Sequence, residues 1–147
     1  MAQCVCVDAS LAIAWIIRER FTDSALALRG AWVRETVELV APPIFPSEVT
    51  STIRRMAYQG ALSPEEGRQA LERAPAWPVT VREDSDDLQR QAYELATRFN
   101  RPRAYDAQYL ALAEAEGCEL WTGDERLINA LQGQLPWAHW IGDYTPP

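Results

Sequence analysis

Five short, mostly apolar runs punctuate this chain, each too short for a helix and each separated from the next by helical sequence. They are Cys4–Val7, Val37–Ala41, Pro78–Val81, Glu119–Thr122 and Ala138–Ile141. Runs that carry little polar alternation belong to strands buried on both faces. Such strands are found in parallel sheets, because the crossover helices cover both sides. The pattern therefore predicts an α/β fold, a mainly parallel sheet between two layers of helices. The length of 147 residues and 48% hydrophobic content suit one domain spanning residues 1–147.

The helices between the strands carry their own boundary signals. Ser10–Arg20 reads as the first, with Ser10 as its cap and Arg18 and Arg20 near its C-terminal end. Asp23–Arg34 is the second, and Pro46-Ser47 opens a third that runs to about Gln59. Ser63-Pro64-Glu65-Glu66 starts another, with serine as cap and proline in the first turn. Asp84–Asn100 is long and amphipathic, Tyr105–Glu116 ends at Gly117, and Glu125–Leu131 is short.

In open parallel sheets, sites lie beyond the carboxyl ends of the strands. Asp8 directly follows the first strand, and Asp124 stands just past the fourth in WTGDERL. Glu48 falls in the first turn of the third helix, and Asp106 heads the apolar helix YDAQYLALAE. Carboxylates gathered in one place repel one another, and a hard divalent cation relieves that repulsion. Asp8, Glu48, Asp106 and Asp124 are therefore the candidate catalytic and metal-binding set, with Mg²⁺ as the expected ion and Mn²⁺ as its alternative. Ser10 and Thr122, each two residues from one of these acids, are candidates for orienting them through their hydroxyls. Arg54 and Arg55, near the polar face headed by Glu48, are candidates for binding phosphate or a partner's carboxylate. The plain alternatives are a helix cap for Asp106, cap or turn hydroxyls for Ser10 and Thr122, and a solvated face for the arginines.

Absences narrow the chemistry. All 14 basic residues are arginines, so lysine-dependent nucleotide sites, Schiff bases and phosphoaspartate enzymes cannot be built here. A single histidine, His139, rules out acid–base cleavage by a histidine pair. The net charge of −7 is unusual for a nucleic-acid binder, but four carboxylates on a metal would leave 14 basic against 17 acidic residues. Cys4, Cys6 and Cys118 are expected to be buried core thiols. The N-terminus MAQCVCVDAS lacks the basic start of a signal peptide and no apolar stretch is long enough to span a bilayer, which predicts a cytoplasmic protein without membrane attachment.

The motifs VDAS (7–10), SEV (47–49), YDAQYLALAE (105–114) and TGD (122–124), in that order, resemble the PIN-domain family, and specifically its VapC-like ribonuclease toxins. The resemblance implies a five-stranded parallel sheet in the order 3-2-1-4-5 and an acidic pocket for Mg²⁺ or Mn²⁺. It implies single-strand-selective RNA cleavage, homodimerisation and neutralisation by a small VapB-like antitoxin. It assigns Asp8, Glu48, Asp106 and Asp124 to the family's acidic set and Ser10 and Thr122 to its auxiliary hydroxyls. A non-catalytic PIN-like binding module and a structure-specific DNA nuclease stay open beside this reading. Trp137 and Trp140 are expected either to pack the fifth strand or to face a dimer partner.

Overall fold

The strand β1 (Cys4–Val7) has neighbours on both edges and alternates its side chains between two cores. In the computed structural model, which describes residues 3–76 and 78–147, it pairs in parallel with β2 (Glu38–Ala41) and β4 (Glu119–Thr122). β3 (Thr80–Val81) and β5 (Ala138–Trp140) complete the edges, giving an all-parallel sheet in the order β3-β2-β1-β4-β5. Parallel neighbours cannot be joined by a tight turn and need crossovers. These come from α1 (Ala9–Ile16), α2 (Thr22–Arg34), α3 (Phe45–Tyr58), α4 (Pro64–Arg73), α5 (Asp86–Arg98), α6 (Tyr105–Glu116) and α7 (Glu125–Leu131). The expected three-layer α/β/α architecture and strand order are both present.

Cys6, Val40 and Leu120 face one layer, against Leu95 of α5 and Leu110 of α6. Val5, Val7 and Leu39 face the other, against Leu11 of α1, Leu28 of α2 and Ile53 of α3. The register of Val5 opposite both Leu39 and Glu119 keeps these two sets on their own sides. Helix α6 is buried continuously from Ala107 to Ala113, so the acid at its head is mounted on a fixed element. It ends at Gly117, whose φ of 66° is the left-handed turn that glycine adopts without a Cβ penalty. Helix α4 starts from a reciprocal capping box between Ser63 and Glu66, as the sequence predicted for Ser63.

The first helix differs from its expected form at both ends. Its cap is Asp8, whose carboxylate accepts from the Leu11 amide at 3.0 Å, and not Ser10. It stops at Ile16 because Thr22 folds back and donates to the Ala14 carbonyl at 2.7 Å, taking the place of a further helical amide. Arg18 then pairs with Asp23 at 2.7 Å instead of lying on the helix.

The cysteines also correct the sequence reading. Cys4 and Cys118 stand at the starts of neighbouring strands, with Cα atoms 5.3 Å apart, and are joined in a disulfide; Cys6 is the free, buried thiol. The partners lie 114 residues apart in sequence, so only the pairing of β1 with β4 brings them together. His139 stands 3.3 Å from Glu119 and beside the Trp121 ring. Trp137 packs on the α5–α6 side of the sheet and Trp140 on the other, its ring against Phe21, so both pack the fifth strand. Among the described residues, no helix is long and apolar enough to cross a membrane.

Candidate functional site

At the carboxyl ends of β1 and β4 the chain opens into a pocket of about 410 Å³, lined by Asp8, Glu48, Asp106 and Asp124 together with Ser10, Arg55 and Tyr109. The four acids separated by up to 116 positions in the sequence thus share one cavity. Each arrives on a different helix start, so backbone geometry fixes where its carboxylate begins.

Asp8 is the most enclosed, with 8% of its surface exposed. One oxygen accepts from the Leu11 amide and from the Ser10 hydroxyl at 2.7 Å, and the other from the Thr122 hydroxyl. Burial raises its carboxyl from an ordinary 3.8 to about 6; the bonds from Thr122, Leu11 and Ser10 pull against that rise, and the charge of Asp124 adds to it. Asp8 is therefore a carboxylate whose charge is under-compensated by the protein alone.

Asp124 caps α7, accepting from the Arg126 amide at 3.0 Å and the Leu127 amide at 3.4 Å. The two expected hydroxyls tie its loop to Asp8. Thr122 accepts from the Asp124 amide at 2.9 Å while donating to Asp8. Ser10 accepts from the Gly123 amide at 2.9 Å while donating to Asp8. A Cβ at Gly123 would meet the Ser10 oxygen at 3.1 Å, so glycine lets that loop close on the serine. Neither hydroxyl caps a helix; both donate to the Asp8 carboxylate.

Glu48 receives a hydrogen bond of 2.6 Å from the Tyr109 hydroxyl. Burial raises its carboxyl above the ordinary range, the Tyr109 bond opposes this, and Asp106 adds to it. Tyr109 is 2% exposed, and burial followed by the neighbouring Glu48 pushes its phenol far above its ordinary value. It stays a neutral donor. Tyr109 was missed in the sequence although a signal existed. It lies three residues after Asp106, on the same helical face, and a buried tyrosine hydroxyl requires a partner.

Asp106 is not a helix cap. The residue preceding α6 makes no side-chain capping bond, and Asp106 is instead held by the Arg101 guanidinium at 3.0 Å. Arg101, in the break before α6, was also not singled out. Of the two arginines that were, Arg55 lines the pocket, whereas Arg54 turns away, stacks on Tyr58 and lines a separate groove between α3 and α4. Glu19 adds a fifth carboxylate at the pocket's rim.

The donor set is all oxygen, which suits a hard divalent ion. The acids do not close into a complete coordination sphere. Among the described residues, the one trio with ligand atoms within 4.8 Å of one another is Cys4, Glu116 and Cys118, whose sulfurs are bonded to each other. A wider arrangement of carboxylates fits an ion that keeps several of its waters, as magnesium does.

Comparison with known proteins agrees with this architecture. The family model described as PIN domain matches residues 5–131. Ribonuclease VapC9 of Mycobacterium tuberculosis is 33% identical over 132 residues, covering 90% of this chain and 94% of the relative. Ribonuclease VapC3 of the same species is 37% identical over 138 residues, covering 94% of this chain and 92% of the relative. Among solved structures, a toxin-antitoxin complex from Klebsiella pneumoniae superposes with a TM-score of 0.60 at 20% identity, covering 97% of this chain and 98% of that one. With the family match spanning most of the sequence and VapC relatives alike along nearly their whole length, the chain belongs to the PIN-domain family, in its VapC branch.

Proposed function

We propose that this chain is a divalent-metal-dependent endoribonuclease and the toxin of a toxin–antitoxin pair. The observation that carries the reading is the meeting of Asp8, Glu48, Asp106 and Asp124 in one pocket, with Asp8 buried at a cost that a cation would relieve. The names of the VapC relatives support RNA as the substrate. A bound Mg²⁺ or Mn²⁺ would polarise the phosphoryl oxygen and lower the pKa of an attacking water. The chain's own residues supply the rest. The carboxylates hold the ion, Ser10, Thr122 and Tyr109 fix three of their oxygens, and Arg55 offers a guanidinium to the phosphate backbone.

An antitoxin partner is supported by the complex seen for the Klebsiella neighbour and by a second surface. An apolar groove of about 290 Å³ runs between α1, α3 and the segment around β3, lined by Ile16, Phe45, Val49, Leu71, Val79 and Val81. Leu71 and Val81 remain 45% and 40% exposed there, which suits the apolar face of a partner's helix.

The deciding experiment is cleavage of a mixed single-stranded RNA pool with Mg²⁺ or Mn²⁺ against EDTA, using wild type and Asp106→Asn. Wild type should cleave only with metal, and the variant should lose on the order of 100-fold or more. Cleavage that survives EDTA, or that is retained in the purified variant, would remove the carboxylate pocket from the chemistry.

A further inference from the structure

Arg101 is placed by the fold and not by the acid it touches. Its amide donates to the Ala96 carbonyl at 2.8 Å, closing the C-terminal turn of α5 after Asn100, which takes a left-handed φ of 53°. Pro102 then fixes the chain beyond it. From this anchored backbone the guanidinium reaches Asp106, Nη2 to Oδ2, at 3.0 Å, with the arginine side chain 24% exposed. Two further facts define the contact. Nε is buried and has no hydrogen-bond partner, and Asp106 accepts no other hydrogen bond among the described residues.

An arginine kept to orient a carboxylate rigidly uses its fork, two parallel N–H groups on two oxygens. Here one of five N–H donors is engaged and a second is buried without a partner, so the contact provides charge rather than a clamp. Positive charge is scarce there: Asp8, Glu48, Asp106 and Asp124 share the pocket with Glu19 at its rim, Arg55 is the one basic residue in its lining among the described residues, and the chain has no lysine.

We propose that Arg101 is a resident counter-cation of the acidic pocket. It neutralises Asp106 while no ion is bound, and it competes with the divalent ion for that carboxylate. The chain thereby folds its acidic cluster without metal and binds metal more weakly than its four carboxylates alone would. The inference rests on the reading of the pocket as a metal site.

The test is titration of the full-length protein with Mn²⁺, followed by calorimetry or by the electron-spin signal of free Mn²⁺, for wild type, Arg101→Gln and Arg101→Lys. Arg101→Gln should bind Mn²⁺ about tenfold more tightly, the scale of effect expected when one charge beside a carboxylate is removed. Arg101→Lys, which keeps the charge on the same anchored backbone, should stay within about threefold of wild type. In EDTA, Arg101→Gln should melt below wild type, with the gap closing at saturating Mn²⁺. An unchanged Kd in folded Arg101→Gln would reduce Arg101 to a packing residue, and a weaker one would make it a support for Asp106; either overturns the proposal. A wild type that binds no Mn²⁺ would overturn the metal-site reading and this inference with it, whereas binding without the tenfold gain sinks this inference alone.

Discussion

Neutralising Asp8 should make the metal-free protein more stable at neutral pH while destroying its site. The folded carboxyl titrates at about 6 against an ordinary 3.8, a difference of roughly 2 pH units, or about 3 kcal/mol. Because the folded value is the higher one, the folded state holds the proton more tightly than the unfolded chain. Stability from this group is complete below the unfolded value, is lost as pH rises from about 4 through 6, and is absent above that window. The carboxamide introduced by Asp8→Asn would mimic the protonated form at every pH, keeping an oxygen for the Leu11 amide and the Ser10 hydroxyl. The Thr122 hydroxyl can rotate to accept from the new amide. Asp8→Asn and wild type should therefore be nearly equally stable at pH 4 and differ by up to about 3 kcal/mol at pH 8 in EDTA, the variant being the more stable. In a chain of this size that is roughly 6–12 °C in melting temperature.

The assay is urea or thermal unfolding of both proteins in EDTA across pH 4–8, reading the difference so that other titrating groups cancel. Mg²⁺ added at pH 8 should then stabilise wild type and leave the variant nearly unmoved. A variant less stable than wild type at pH 8 would refute the reasoning. It would mean that hydrogen bonds to the charged carboxylate outweigh the cost of burying it, and that Asp8 needs no cation.

Two other substitutions probe contacts that cross the fold. Tyr109→Phe removes the 2.6 Å bond to Glu48 and keeps the ring in its packing; Mn²⁺ affinity and RNA cleavage should fall by about 10- to 100-fold. Unchanged values in the folded variant would show that Glu48 is held by other means. Cys4→Ser opens a disulfide that closes a 114-residue separation, for which loop entropy sets an upper limit of about 5 kcal/mol. The variant should melt well below oxidised wild type and equally with reduced wild type, and denatured oxidised wild type should show one reactive thiol, Cys6. Three reactive thiols there would remove the disulfide from the argument.

Much of this was legible in the sequence because it depends on position along the chain. The bounds of β1, α6, β4 and α7 are local matters of apolar runs, Gly117 and polar starts. Asp8, Glu48, Asp106 and Asp124 meet because each stands at an element end, and a parallel sheet gathers such ends at one edge. What was missed depends on direction or on distance. Ser10 was expected to hydrogen-bond Asp8, but it also looked like the cap because serine is a good one; that it lies inside the first turn follows from where α1 begins. Arg54 and Arg55 are neighbours in sequence, but about 100° of helical rotation sends one to the acidic pocket and the other to the α3–α4 groove. The Cys4–Cys118 and Glu48–Tyr109 contacts join residues whose separations carry no local pattern at all.

The acids differ in how far fold and function can be separated. Asp8 caps α1 and Asp124 caps α7, so both carboxylates satisfy helix amides as well as facing the pocket. Part of the cost of gathering negative charge there is offset by the helix starts that the fold needs capped in any case. For the same reason a substitution at either position changes a cap and a metal ligand together, and lost activity alone would not say which mattered. Asp106 caps nothing, and among the described residues Arg101 is its one hydrogen-bonding partner. Its loss leaves every helix start intact, which makes it the position where a change in cleavage reports most directly on the chemistry of the pocket.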